Sequence, residues 1–251
     1  MNIAALKDLL YRLADDKLIL GHRNSEWIGF GPILEEDIAF ASMAQDKVGQ
    51  SLAFYQMLHE LGEQEPDTIA FTRTTAEFRC CHFVELPIGD YAFSLVRHYL
   101  FDLADMIRLR HLAASSYKPL AELATKLFKE GKYHLMHGRV FMKQLGNGTE
   151  ESRMKMQTAL NEALPYAYSL FEPTIHTEAL ALAGVQPLED ELMKEWQTEL
   201  YAFLPICGLR MPNVENFIDH FGGRKGYHTE YLPPLVKEMT EVFAIDPEAT
   251  W

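Results

Sequence analysis

The hydrophobic pattern of this chain is clearest between Phe40 and Leu61. Steps of three and four residues select one stripe, apolar except for a lysine and a glutamine in its middle: Phe40, Met43, Lys47, Gln50, Phe54, Met57 and Leu61. A stripe on the opposite side is also mostly apolar: Ile38, Ala41, Gln45, Val48, Leu52 and Tyr55. A helix that is apolar on two sides is typical of the centre of a bundle. The pattern therefore predicts a central helix over about residues 33–61, ending at Gly62 and covered on more than one face.

Helical periodicity also dominates the rest of the chain. It predicts further helices over about residues 6–20, 76–83, 92–113, 119–145, 149–184, 189–204 and 229–243. The helix that begins at Thr149 is expected to bend at Pro165 and Pro173, and Thr229 is a candidate N-cap of the last one. No alternating strand pattern and no short-period repeat is present in the sequence. The predicted fold class is therefore all-α.

Composition narrows the possible functions. The 251 residues are 48% hydrophobic, which is enough for a sizeable core, and they carry a net charge of −13, which argues against a nucleic-acid surface. No run of 18 apolar residues and no signal peptide is visible, so neither a membrane span nor export is expected. Cys80, Cys81 and Cys207 follow no zinc-type or disulfide-type spacing. These features predict a cytoplasmic protein.

Four of the predicted helices carry a polar group in the middle of an apolar stripe: Lys17, Lys47 with Gln50, Asp102, and His134. Burying a charge is unfavourable unless it is paired, so such groups are expected to meet in the protein interior. Polar groups that converge inside a four-helix bundle are typical of carboxylate-bridged di-iron proteins, in which a Glu-x-x-His pair places both ligands on one helix face.

This sequence contains no Glu-x-x-His pair. Glu130 and His134 are spaced by four residues, and two lysines near the same centre would repel a cation. The pattern therefore favours a buried polar cluster without metal, in which Gly131 and Gly138 allow helices to approach closely. The alternative is a self-sufficient di-iron oxygenase that uses Asp102, Glu130 and His134 as unusual ligands.

Several segments, in this order and spacing, resemble the C-subunit family of bacterial phenylacetyl-CoA epoxidases (ring 1,2-epoxidases, the PaaC family). The resemblance extends over nearly the whole chain, and these segments carry it: residues 20–27, LGHRNSEW; 34–39, LEEDIA; 48–50, VGQ; 68–73, TIAFTR; 133–135, YHL; 145–149, LGNGT; and 222–230, GGRKGYHTE. The resemblance implies a ferritin-like fold. It also implies pairing with a homologous A subunit, which holds the di-iron centre and receives electrons from a separate reductase subunit.

Comparison with that catalytic relative, position by position, implies that the metal site has degenerated. Lys17 stands where the relative has its first glutamate, and Lys47 and Gln50 stand at its first Glu-x-x-His pair. Asp102 is retained. At the second pair the glutamate position is Gly131, whereas His134 is kept. The resemblance therefore implies no bound metal, no cofactor and no catalytic residue in this chain.

Together these inferences predict one ferritin-like domain over residues 1–251, with a bundle core at about 3–146 and accessory helices at about 149–251. The predicted function is a non-catalytic structural subunit of a multicomponent phenylacetyl-CoA 1,2-epoxidase in aerobic phenylacetate degradation.

Its expected partners are the catalytic A subunit, the reductase and the other members of the complex. Self-association is also expected, without nucleic acid or membrane partners. A ferritin-like binding protein that acts alone remains a third possibility. The segment 222–226 is either a phosphate-binding loop for coenzyme A or a plain loop.

Overall fold

Ten α-helices account for most of residues 2–246, the part of the chain that the computed structural model describes. Their bounds are α1 Ile3–Ser25, α2 Leu34–Glu60, α3 Pro66–Phe71, α4 His82–Glu85, α5 Tyr91–Leu112, α6 Lys118–Gly146, α7 Glu150–Ala167, α8 Thr177–Leu182, α9 Glu189–Phe203 and α10 Leu232–Thr240. Short 3₁₀ turns lie at 75–77, 168–171, 204–207, 217–220, 223–225 and 243–245. No β-strand occurs within those residues, and the predicted all-α, ferritin-like fold class is confirmed. Met1 and residues 247–251, which the predicted single domain includes, lie outside the described residues.

The described residues divide into two compact units. The first unit comprises residues 2–5 and 88–221, and the second comprises residues 6–87 and 222–246. The second unit is thus discontinuous in sequence, because its last part follows the whole first unit along the chain. The prediction of one domain with its core at 3–146 is not tested by this division and stays a prediction.

Helix α5 is the centre of the first unit. It packs on α6 where Gly138 allows a close approach, since a Cβ atom added there would lie 3.2 Å from Cβ of Tyr99. On another side, the indole Nε1 of Trp196 in α9 donates a 3.1 Å hydrogen bond to the carbonyl of Leu100. Deeper along α5, Arg108 forms two hydrogen bonds with the carboxylate of Glu189, at 2.7 and 3.1 Å. These contacts fix α6 and α9 around one buried helix.

Two adjacent aspartates of α1 organise the second unit. Asp15 is fully buried and accepts hydrogen bonds from Tyr55 of α2 and from the guanidinium of Arg73. Asp16 accepts two 2.8 Å hydrogen bonds from the guanidinium of Arg224. Arg224 comes from the last part of the chain, so the two carboxylates connect α1 to three segments that are distant in sequence.

The predicted helix over residues 76–83 is wrong. A 3₁₀ turn at 75–77 and the short helix α4 replace it, with extended backbone at Phe78 and Cys81. The reason is a competition for backbone donors. The amide of Arg79 donates to Asp15 at 2.6 Å and that of Cys81 donates to Asp16 at 2.8 Å, so neither is available for a helix.

Two other helices are shorter than predicted. Thr149 caps α7 by accepting a hydrogen bond from the amide of Ser152, and α7 includes Pro165 but ends at Ala167 rather than at Gly184. Helix α10 begins at Leu232 with Tyr231 as its N-cap, so Thr229 does not cap it. The Thr229 hydroxyl instead donates to Glu85 at 2.7 Å.

Candidate functional site

The two lysines that interrupt the apolar stripes are both fully buried in the second unit. Lys17 lies in α1 with 1% of its surface exposed, and Lys47 lies in α2 with none exposed. Gln50 follows Lys47 by one helical turn and is also buried, and its Oε1 oxygen accepts no hydrogen bond from the described residues. The polar middle of the α2 stripe therefore faces inward, as its periodicity predicts.

The first unit brings Asp102 and His134 into one buried cluster through His98. Nδ1 of His98 lies 2.6 Å from Oδ2 of Asp102, one turn further along α5. Nε2 of the same ring lies 3.0 Å from the carbonyl oxygen of His134 in α6, and the rings of His98 and His134 are 6.3 Å apart. His137, one turn beyond His134, packs edge-on against His98 at 5.4 Å.

His98 and His137 were not identified from the sequence, although the spacing of each from a predicted site residue could have indicated it. His98 precedes Asp102 by four residues, and His137 follows His134 by three, so each shares a helix face with a predicted residue. Their presence changes which groups Asp102 can bind. The carboxylate of Asp102 is already in contact with an imidazole, and His98 faces acceptor groups with both of its nitrogens.

The remaining predicted ligand positions do not complete a di-iron ligand set. Gly131 is buried, and the space that a side chain would need there is filled by Met106, whose Sδ would lie 2.6 Å from an added Cβ. Glu130 lies on the exposed side of α6 and forms a 3.9 Å ion pair with Lys126. Within residues 2–246, Asp102, Glu130 and His134 do not offer ligand atoms within 4.8 Å of one another. The residues present therefore do not fit a pair of iron ions.

A phenol and a guanidinium complete the buried network around Asp15. Burial, together with the adjacent Asp15 carboxylate, raises the pKa of Tyr55 well above its ordinary value. The phenol therefore remains protonated and donates its 2.5 Å hydrogen bond to Asp15. The guanidinium of Arg73 also lies over the ring of Phe78, 4.2 Å from its centroid. This network joins α1, α2 and the segment around Arg73 within the second unit.

The glycine-rich segment 222–226 is explained by close backbone packing. A Cβ atom at Gly223 would lie 2.1 Å from the carbonyl oxygen of Cys80, and one at Gly226 would lie 2.3 Å from that of Ala76. Gly226 also has a φ of +83°, which glycine adopts readily. Since Arg224 is bound to Asp16, the segment has the features of the plain loop rather than those of a phosphate cradle.

One side of α2 is apolar and exposed. The exposed residues include Phe30 and Ile33 in the preceding loop and then Leu34, Ile38, Val48 and Leu52, which lie on one helix stripe. The exposed Gln45 lies on the same stripe between Ile38 and Val48. Phe30 is 78% exposed and Leu34 is 70% exposed. We call this set of six residues the apolar face. The prediction that α2 is covered on both of its apolar sides is wrong for the described residues, because Ile38, Val48 and Leu52 are exposed. Periodicity alone cannot distinguish a buried apolar stripe from an exposed one.

No helix among residues 2–246 is both long and apolar enough to cross a membrane.

Comparisons with known proteins agree on one family. The profile of the family described as "Phenylacetic acid catabolic protein" matches residues 1–251. The chain is 35% identical over 241 residues to the C subunit of the 1,2-phenylacetyl-CoA epoxidase of Escherichia coli (strain K12), covering 96% of each protein. It is also 26% identical over 207 residues to the A subunit of the same enzyme, covering 80% of this chain and 66% of that protein.

Proposed function

Because this chain belongs to the family of phenylacetic acid catabolic proteins, we propose that it is the non-catalytic, structural subunit of a multicomponent phenylacetyl-CoA 1,2-epoxidase. Its role is to bind a homologous A subunit, which carries the di-iron centre in aerobic phenylacetate degradation, and to keep that subunit soluble and active. The weaker similarity to an A subunit supports a common ancestor for the two chains.

The full burial of Lys17 and Lys47 is the observation that carries the non-catalytic assignment. Iron ligands must offer lone pairs, and carboxylates also neutralise the charge of the metal. A buried ammonium group has no lone pair and repels a cation. Lysines at two of the positions where the resemblance places glutamates are therefore incompatible with two bound irons. We propose Lys17, Lys47, Gln50, Asp102, Gly131 and His134 as the remnants of a lost metal site.

The alternative, a self-sufficient oxygenase that uses Asp102, Glu130 and His134, has less support. Glu130 is exposed whereas the other two residues are buried, so the three carry no common ligand geometry. Purification from iron-rich medium tests this directly. We expect less than one iron per chain, and two well-occupied irons bridged by Asp102 would overturn the non-catalytic assignment.

The apolar face supports the partnership. A mostly apolar exposed stripe on one helix is typical of a protein interface, and the part of this stripe from Leu34 to Leu52 is roughly 27 Å long at 1.5 Å per residue. We propose that this surface is buried against the A subunit in the complex. Permanent hetero-complexes often bury more than about 2,000 Å² in total, so loop residues such as Phe30 would take part as well.

Co-expression with a homologous A subunit from the same organism tests the proposal. We expect the two chains to elute together in gel filtration and iron to follow the A subunit. The activity or solubility of the A subunit should also rise when this chain is present. An A subunit that is fully active and soluble without this chain would contradict the structural role.

Substitutions in the apolar face locate the contact. Ile38→Glu and Leu52→Glu should release the A subunit, because each places an unpaired charge in a surface that must be dry in the complex. Met154→Glu is the matched control, because it makes the same kind of change at an exposed apolar residue of α7. Equal binding by all three variants would refute this location.

The cellular setting and the other partners are part of the same proposal. Cys80, Cys81 and Cys207 are all buried and unlinked, which suits a reducing compartment, and we propose the cytoplasm. Electrons would reach the A subunit from a separate reductase subunit. The third possibility, a ferritin-like binding protein that acts alone, gives no role to the apolar face.

A further inference from the structure

A second group of possible metal ligands lies in the second unit, away from all the predicted site positions. It consists of Cys80, Glu85 and His228, and all three side chains are almost completely buried. Cys80 lies just before α4, Glu85 is the last residue of α4, and His228 follows the glycine-rich segment. No local sequence pattern predicts this group, because 143 residues separate Glu85 from His228.

The three ligand atoms form a triangle of the size that a metal ion requires. Sγ of Cys80 lies 3.7 Å from Oε1 of Glu85 and 3.9 Å from Nδ1 of His228, and that nitrogen lies 2.7 Å from Oε1. The point at equal distance from these three atoms is about 2.0 Å from each, which is close to a zinc–ligand bond length. Zinc–ligand bonds are about 2.3 Å to sulfur, 2.0–2.1 Å to nitrogen and 2.0–2.2 Å to oxygen. An ion slightly out of the plane therefore reaches all three atoms with little movement.

The surroundings orient these atoms in the way that metal sites require. Oε2 of Glu85 accepts hydrogen bonds from the amide and hydroxyl of Thr229, at 2.8 and 2.7 Å, which leaves Oε1 directed at the cluster. Nε2 of His228 lies 3.1 Å from the carbonyl oxygen of Phe78. A ligating histidine usually donates its other N–H to such a carbonyl, which fixes the tautomer and turns the lone pair of Nδ1 toward the metal.

This orientation favours a positive charge between His228 and Glu85. When Nε2–H donates to Phe78, the lone pair of Nδ1 in the neutral ring faces a carboxylate oxygen 2.7 Å away, so two acceptors face each other. Either an extra proton or a cation must lie between them. The thiol of Cys80 beside them supplies a third, softer ligand, and thiolate with imidazole selects zinc over magnesium or calcium.

We propose that Cys80, Glu85 and His228 bind one thiophilic divalent cation of the Zn²⁺ class. Binding releases the thiol proton of Cys80 and any proton shared between Glu85 and His228, with no change in oxidation state. Three protein ligands leave the fourth tetrahedral position to water. The ion would tie residues 78–85 to the segment after residue 222. The proposal goes beyond the proposed function, and neither depends on the other.

Cobalt substitution tests the proposal on the full chain. After treatment with a chelator, the wild-type chain should take up one Co²⁺ and show the charge-transfer absorption of a cobalt–thiolate bond, and Zn²⁺ should displace it. Cys80→Ser should abolish that band, whereas Cys207→Ser, which changes another buried free cysteine, should keep it. Thr229→Val removes one hydrogen bond to Glu85 and should weaken Zn²⁺ affinity by about 10–100-fold.

The wild-type measurement decides the question even if a variant fails to fold. No cobalt–thiolate band in the wild type, or a band that survives in a folded Cys80→Ser variant, overturns the proposal and leaves the cluster as a hydrogen-bonded clasp. Circular dichroism of each variant separates loss of metal binding from loss of fold. Binding to the A subunit, measured on the same samples, reports on the proposed function independently.

Discussion

At the scale of single residues, Asp102 is the carboxylate whose role is easiest to isolate. It is buried in α5 with its Oδ2 oxygen 2.6 Å from Nδ1 of His98. Asp102→Ala should reduce the free energy of unfolding by at least about 2 kcal/mol, because it leaves a buried imidazole without its acceptor. Chemical denaturation measures the change. The exposed Asp67→Ala is the control, and an equal effect of the two substitutions would show that the buried contact contributes nothing.

His22 should make stability depend on pH. Burial, with a smaller contribution from Arg23, lowers the pKa of His22 below its ordinary 6.5, while Glu26 opposes the shift. The unfolded chain therefore binds the proton first as the pH falls through 6.5, so stability is present above that pH and is lost below it.

Thermal unfolding at pH 7.5 and 5.5 checks this sign. His22→Gln should lose less stability between the two values than the wild type does. Burial also lowers the pKa of His111, so the double variant with His111→Gln should show a still smaller loss. A wild-type chain that is more stable at pH 5.5 would contradict the prediction.

Residue roles were predictable from the sequence only where a polar group interrupts an apolar stripe. Lys17, Lys47 and Asp102 stood out for that reason, and all three are buried. Asp15 and Arg73 had no such signal, because their contact joins residues 58 positions apart. Periodicity describes one helix at a time, whereas a buried ion pair depends on which segments meet.

At the scale of elements, two helical glycines differ in whether there is room for a side chain. Gly146 ends α6 against the carbonyl oxygen of Cys207, which would lie 2.1 Å from an added Cβ. Gly49 of α2 is exposed, and a Cβ added there would meet no atom of a neighbouring element within 4 Å. Gly146→Ala should destabilise the chain by more than about 1 kcal/mol, because backbone must move. Gly49→Ala should stabilise it by roughly 0.5–1 kcal/mol through helix propensity. Denaturant midpoints of the two variants should therefore move in opposite directions.

The long helices could be predicted because their apolar periods persist over many turns. The prediction for residues 33–61 agrees with α2 to within one residue at each end, and Pro119 lies in the first turn of α6, where proline is tolerated. The segment 76–83 could not be predicted correctly. Its backbone amides bond to Asp15 and Asp16, which lie more than 60 residues earlier, and no local pattern reports that.

At the scale of the whole molecule, the apolar face should make the isolated chain self-associate. Exposed residues such as Phe30 and Leu34 gain more from contact with another copy than from contact with water. Sedimentation velocity over a range of concentrations should show reversible oligomers for the wild type. Leu34→Glu should shift it to monomer, and Met154→Glu should not. A strictly monomeric wild type would contradict this prediction.

The discontinuous second unit has a consequence for synthesis. Residues 88–221 leave the ribosome as a continuous stretch and can begin to fold at once, whereas residues 6–87 must wait for residues 222–246. Until Arg224 emerges, the carboxylate of Asp16, which also accepts a hydrogen bond from the amide of Cys81, lacks its guanidinium partner. During that interval residues 6–87 lack part of their own unit, so they should be more open to proteases and chaperones than residues 88–221 are.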